Sequence, residues 1–234
     1  MKQGKLYLIP TPLGDYKPET VLTPSTLQIV GGIKLFFVEE LRTARRFLSA
    51  AGHKGHIDEL ELYEINEHSS REDIERLSCL RGERDAALIS EAGLPAVADP
   101  GAILVELAHA NDVEVVPQVG PSSLFMALMA SGLNGQCFAF NGYLPVKPDA
   151  RRQALSEIER ISRQRNQSQI IIETPYRNDS LVSDILKYCT PGTRLCIAAD
   201  ITLPSQFICT RNVALWRKAV PVIGKRPCVF ILQS

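Results

Sequence analysis

Short apolar runs alternate with amphipathic stretches along most of the chain. In the first half the runs predict strands at Lys5–Pro10, Leu35–Val38, Leu60–Tyr63, Ala86–Ser90 and Glu114–Pro117. Helical spacing predicts helices at Arg42–Ala51, Ser70–Arg81 and Ala102–Ala110, the second opened by a Ser69-x-x-Glu72 capping box. Strands separated by helices call for a parallel or mostly parallel sheet with helices on its faces. The second half reads differently. A helix starting near Ser122 runs to about Ser131, and helices follow near Ala150–Ser162 and Asp179–Cys189. Strands are expected at Cys137–Asn141, Gln169–Glu173, Arg194–Asp200, Gln206–Arg211 and Cys228–Gln233. Two of these flank a Leu203-Pro204 turn, which predicts an antiparallel hairpin and a mixed sheet. The fold class is α/β, in two domains: 1–117 with a mostly parallel sheet, and 118–234 with a mixed sheet.

Composition agrees with a packed protein: 234 residues, 45% hydrophobic and 22% charged. No apolar run approaches the roughly 20 residues of a membrane span, and Leu6–Ile9 is much shorter than a signal-peptide core, so no membrane partner and a cytoplasmic location are expected. Six cysteines lack C-x-x-C or Cys/His metal spacing and read as small core residues, with no metal site. Charge changes the picture more. Residues 1–117 hold 12 Lys+Arg against 19 Asp+Glu, a balance of −7, and residues 118–234 hold 14 against 7, or +7. Such a split fits either two halves with different surfaces or mutual attraction between halves or subunits.

Three loops follow strands at their carboxyl ends, where open α/β sheets bind ligands. The first is Pro10-Thr11-Pro12-Leu13-Gly14, stiffened by two prolines and lacking the G-x-G-x-x-G pattern. The second, Ser90 to Gly101, includes Glu91, Gly93, Leu94 and Pro95, residues suited to hold an amino-acid or ribose group; Asp99-Pro100 would cap the following helix. The third, Gly120-Pro121-Ser122-Ser123, offers hydroxyls and amides to an anion, or simply caps a helix. Glu39, Glu40 and Arg42 follow the strand Leu35–Val38; they line a cleft or form an ordinary helix start. Histidines 53, 56, 68 and 109 sit in polar contexts and are expected to be solvated. A nucleophile elbow, a Walker loop and H-E-x-x-H are all absent from the sequence.

Taken in order, these segments resemble the tetrapyrrole-methylase superfamily of S-adenosylmethionine-dependent methyltransferases. The chain is most similar to its small-subunit rRNA cytidine 2′-O-methyltransferase branch. The stretches that carry the likeness are Leu6 to Gly14, Val38-Glu39-Glu40-Leu41-Arg42, Ala87 to Pro95 with Asp99-Pro100-Gly101, Val115-Val116-Pro117 with Gly120-Pro121-Ser122, Ala130-Ser131-Gly132-Leu133, Phe140 to Pro145 and Glu173-Thr174-Pro175-Tyr176-Arg177. The chain departs from the branch at Glu91 (usually Asp), at Leu94 (usually Thr-like), at Tyr63–Glu67 and at Ala199–Leu203.

The resemblance implies two α/β domains with the methyl donor in a cleft between them, and a homodimer. It implies S-adenosylmethionine as cosubstrate, contacted by Pro10, Thr11, Pro12, Leu13, Gly14, Glu91, Gly93, Leu94, Pro95, Gly120, Pro121, Ser122, Ser123, Ile172, Glu173 and Thr174. For transfer to a ribose hydroxyl, Glu39 or Glu40 is the candidate base and Arg42 or Lys225 its electrostatic partner. A basic face for ribosomal RNA or the small ribosomal subunit would comprise Arg42, Arg45, Arg46, Lys147, Arg151 and Arg152. The acceptor alternatives are a small molecule such as a tetrapyrrole precursor, or none, in a non-catalytic binding protein.

Overall fold

The computed structural model describes residues 4–66, 68, 69, 72, 74 and 84–234. The expected helix over 70–81 falls almost wholly outside them, as does Cys79. The chain divides into two compact units, Met1–Ser122 and Ser123–Ser234.

Unit 1 is built on five strands: β1 Lys5–Ile9, β2 Leu35–Val38, β3 Glu61–Glu64, β4 Ala86–Ile89 and β5 Glu114–Pro117. They pair in the order β3-β2-β4-β1-β5, every pair parallel. All four residues of β2 and of β4 are buried, because both faces of the sheet are covered. Side chains alternate across it. Leu35, Phe37, Ala86 and Leu88 join Leu104, Leu107 and Ala108 in one core layer. Phe36, Val38, Ala87 and Ile89 join Val30, Ala44 and Leu48 in the other.

Helices with described bounds in this unit are α1 Pro24–Gly32, α2 Leu41–Leu48 and α3 Ala102–Ala110. Helix α1 was not expected, although its signals are present: Thr23 accepts the amide of Thr26 as N-cap and Pro24 stands in the first turn. Helix α2 stops at Leu48 and continues as a wider turn over Ser49–His53. His53 corrects the expectation of solvated histidines. It is 3% exposed, its Nε2 lies 2.8 Å from the Val30 carbonyl oxygen, and its ring meets Phe36 edge-on.

Unit 2 carries β6 Phe138–Tyr143, β7 Ser168–Ile172, β8 Arg194–Ala199, β9 Phe207–Asn212 and β10 Cys228–Gln233, in the order β6-β7-β10-β8-β9. Only β6 and β7 run parallel; the others pair antiparallel, and β8–β9 is the expected hairpin. Helices α4 Ser123–Ser131, α5 Pro148–Arg165, α6 Asn178–Tyr188 and the short α7 Val213–Trp216 complete it. Phe230, Leu232, Ile171, Leu181 and Ile185 anchor its core. Cys189, Cys196 and Cys228 are buried in unit 2, and burial pushes the thiols of Cys189 and Cys228 up to about 12.

Candidate functional site

Strand order decides which loops meet in unit 1. Parallel strands all release their chains at the same sheet edge, so the loops after β2, β4, β1 and β5 emerge side by side. Neighbours in the sheet become neighbours in the loops. Thr11 and Gly93 exchange backbone hydrogen bonds of 2.9 and 3.1 Å, and the Thr11 hydroxyl donates to the Ser90 carbonyl at 3.2 Å. Gln118 donates its amide to the Leu8 carbonyl at 3.0 Å, bringing the third loop onto the first.

Two glycines make this approach feasible. Gly93 holds φ at +80°, a conformation costly for other residues. A Cβ on Gly120 would stand 2.3 Å from Pro10 Cβ. The predicted residues Pro10 to Gly14, Glu91 to Pro95 and Gly120 to Ser122 thus belong to one cluster of strand-tip loops.

Glu39 joins that cluster. Its Oε2 accepts the Glu91 amide at 3.2 Å. Burial raises its carboxyl above the ordinary 4.5; the Glu91 amide partly offsets this, while the charges of Asp99 and Glu91 push it further up. Glu40 does something else. Its two oxygens accept the amides of Arg42 (2.8 Å) and Thr43 (2.7 Å), capping α2, and those bonds hold its carboxyl below the ordinary range. Arg42 lies exposed in the first turn of α2. Of the two sequence readings, Glu40 therefore takes the helix start and Glu39 faces the loops.

Asp99 also differs from expectation. Helix α3 starts at Ala102 with Gly101 before it, and Asp99 Oδ1 accepts the amides of Ala96 (3.1 Å) and Gly101 (2.8 Å). It ties the turn that leads into the helix, a turn in which Ala96 and Ala98 also adopt positive φ.

A cavity of about 570 Å³ opens beside the first two loops, within the roughly 300–1,000 Å³ of ligand clefts. Its walls include Thr11 to Pro18 and Ile89 to Ala92. The wall on α2 and its extension is formed by Thr43, Arg46, Phe47 and Ala50, of which the sequence reading assigned only Arg46, to the basic face. The signal was available: those positions recur at i, i+3, i+4 and i+7, one face of a helix.

In unit 2, Ile172 ends β7 and is followed by Glu173, whose Oε1 accepts the Thr174 amide (2.7 Å) and the Arg177 side chain (2.6 and 2.9 Å). Glu173 Oε2 and Thr174 Oγ1 are buried with no hydrogen-bond partner among the described residues. Ser123 opens α4, and Lys225 is exposed in the loop before β10. The expected basic face changes too. Arg42, Arg45, Arg46, Lys147 and Arg152 are exposed, but Arg151 is only 3% exposed. Its guanidinium donates to the Pro145 carbonyl, Ser180 and Asp184, so it is a core residue.

Curated relatives include proteins named ribosomal RNA small subunit methyltransferase I. The one from Pseudomonas aeruginosa is 35% identical over 203 residues, covering 86% of this chain and 68% of that protein. The one from Escherichia coli O157:H7 is 30% identical over 201 residues, covering 86% and 66%. The chain thus spans about two thirds of the length of the relatives it matches. Among solved structures, the methyltransferase CobJ superposes with a TM-score of 0.66 at 18% identity, covering 99% of this chain and 94% of that one. A uroporphyrin-III C-methyl transferase from Thermus thermophilus, complexed with S-adenyl homocysteine, superposes at 0.57 and 18% identity, covering 99% and 98%. At such identities these structures speak to the fold. The family model of the Tetrapyrrole (Corrin/Porphyrin) Methylases matches residues 5–214, and with its parallel and mixed sheets in sequence this chain belongs to that family.

Proposed function

We propose that this chain transfers a methyl group from S-adenosylmethionine to a ribose 2′-hydroxyl of small-subunit ribosomal RNA. The observation that carries the reading is the meeting of the loops after β1, β2, β4 and β5, pinned by the Thr11–Gly93 bridge and by Gly120 against Pro10. The names of the relatives support the acceptor class.

The residues fit such a cosubstrate. Bare backbone at Gly93 and Gly120 and carboxylates at Glu39 and Glu91 suit a ligand with an amino-acid end, a ribose diol and an adenine amine. The residues that would hold it are those of the strand-tip loops of unit 1. When bound, it supplies an electrophilic methyl on a positively charged sulfur that is its own leaving group. What remains for the chain is to align the acceptor oxygen, exclude water and accept a proton. Glu39 takes that proton, since a carboxyl whose pKa burial has raised is a stronger base than an ordinary one. Arg42 provides the positive neighbour that favours the forming alkoxide.

We further propose that the protein works in the cytoplasm as a homodimer. Phe125, Met129, Phe138 and Phe140 are exposed in unit 2, and a second copy would cover them. A purely monomeric species in sedimentation equilibrium would overturn this.

The activity is tested with tritiated methyl donor and small ribosomal subunits lacking the modification. Label is expected in the rRNA and, after digestion, in a 2′-O-methyl nucleotide. Unlabelled rRNA, from protein that binds S-adenosylhomocysteine in a calorimeter, would refute the acceptor.

A further inference from the structure

We infer that the unit 1 cavity holds the phosphodiester backbone of the acceptor strand beside its α2 wall, with Lys17 and Arg46 as the phosphate contacts. This rests on the rRNA reading above and adds to it a place and two residues. The first argument is charge. The half 1–117 carries 12 cations against 19 acids, so a free cation there is surrounded by carboxylates that could neutralise it. Lys5, Lys34 and Arg84 are neutralised in this way, by Glu114 at 2.8 Å, Glu59 at 3.2 Å and Glu61 at 2.6 Å. Lys17, Arg42, Arg45 and Arg46 make no ion pair among the described residues, and all four are exposed. Lys17 and Arg46 both line the cavity, from two different elements, the loop after β1 and the last turn of α2.

The second argument is the order of groups along the cavity. Glu39, Glu91 and the Glu40 cap gather at the N-terminal end of α2, and the Thr43 hydroxyl donates to Glu91 at 3.4 Å. Arg46 lies three residues beyond Thr43, about 4.5 Å further along the helix at 1.5 Å per residue. Phe47 and Ala50 line the same wall. One end thus suits hydroxyl and ammonium groups, and the other suits a phosphate beside an apolar surface on which a nucleoside can lie. Asp15 also lines the cavity, which favours a ligand bearing a few phosphates at set positions over an undirected polyanion.

The test uses the full chain and undermethylated small ribosomal subunits with their rRNA. Lys17→Ala and Arg46→Ala are each expected to reduce the slope of log affinity against log salt by about 0.7–1. Each is also expected to raise KM for the subunits about tenfold while leaving kcat and the calorimetric affinity for S-adenosylhomocysteine unchanged. Lys34→Ala, outside the cavity, should leave slope and KM at wild-type values. Unchanged slope and KM in both cavity variants would overturn the inference. So would a matching loss of S-adenosylhomocysteine affinity, which would move the two residues to the donor. Weakened binding of a porphyrin polycarboxylate with rRNA binding intact would assign the wall to a different acceptor. Wild-type protein that takes S-adenosylhomocysteine but neither binds nor labels rRNA would instead sink the functional reading on which the inference stands.

Discussion

The carboxylate of Glu39 accepts the backbone amide of Glu91 across 52 intervening sequence steps, at 3.2 Å. Register explains the meeting. Val38, the last residue of β2, lies opposite Ile89, the last residue of β4, so the next residues leave the sheet together. The same logic sets Ile9 opposite Ile89 and delivers Thr11 to Ser90 and Gly93. Sheet register thus acts as the positioning device for groups that no local motif links, and rigid strands hold them more closely than mobile loops would.

Glu39→Gln should lower methyl transfer at neutral pH by about 100-fold or more, the usual scale for a lost general base, with S-adenosylhomocysteine affinity retained. The wild-type rate should rise with pH through the elevated Glu39 pKa, and the variant should lose that limb. Stability gives a second readout. Because the folded-state pKa lies above the ordinary 4.5, the contribution of Glu39 is complete below 4.5 and disappears as pH rises through the raised value. Glu39→Gln should therefore gain melting temperature relative to wild type on the alkaline side. Glu40 has the opposite sign: its pKa is depressed, so its stabilisation holds above 4.5 and fades as pH falls through the lowered value. An activity loss confined to Glu40→Gln would reverse the assignment of the two acids.

Gly120→Ala should damage both stability and donor binding. The new Cβ would fall 2.3 and 2.6 Å from Cβ and Cγ of Pro10, a ring that cannot rotate away. Overpacking of this kind costs about 1–3 kcal/mol. As the loops must part, S-adenosylhomocysteine affinity should drop at least tenfold, by about 1.4 kcal/mol or more. Gly31→Ala, in α1, is the control of opposite sign. Nothing lies within 4 Å of its Cβ, and alanine in a helix is favoured over glycine by about 0.5–1 kcal/mol. Equal melting curves and equal calorimetric affinities for Gly120→Ala and wild type would contradict the close approach.

The strands were legible because buried parallel strands are short unbroken apolar runs, as at Leu35–Val38 and Ala86–Ile89. Their spatial order was not, since β3-β2-β4-β1-β5 skips sequence neighbours, and so the contact of Glu39 with Glu91 was out of reach. Family likeness supplied the list of loops without the cavity wall on α2. Helix α1 was missed because it buries Thr26 beside Val30, which blurs its apolar pattern. His53 misled through its setting, a Gly-His-Lys-Gly-His stretch that reads as surface, whereas the partners that bury it, Val30 and Phe36, lie on α1 and β2.

Arg151 misled in the same way, and its environment makes a sharp test. It sits in a run, Lys147 to Arg152, that reads as a basic surface, yet it bonds Asp184 at 3.0 Å on another helix, 33 residues away. Further bonds reach the Pro145 carbonyl at 2.9 Å, the Val146 carbonyl at 3.4 Å and the Ser180 hydroxyl at 3.2 Å. A guanidinium fork satisfies all four acceptors at once, which an ammonium cannot. Arg151→Ala would strand a half-buried carboxylate and two carbonyls, and should destabilise unit 2 by about 3–5 kcal/mol, as loss of one partner of a buried ion pair does. Arg151→Lys should fall between that variant and wild type, while Arg152→Ala, one residue on and exposed, should stay within about 0.5 kcal/mol. Chemical denaturation measures all three. If Arg151→Ala melted like wild type and instead lowered the salt dependence of rRNA binding, Arg151 would return to the basic face and the buried network would be wrong.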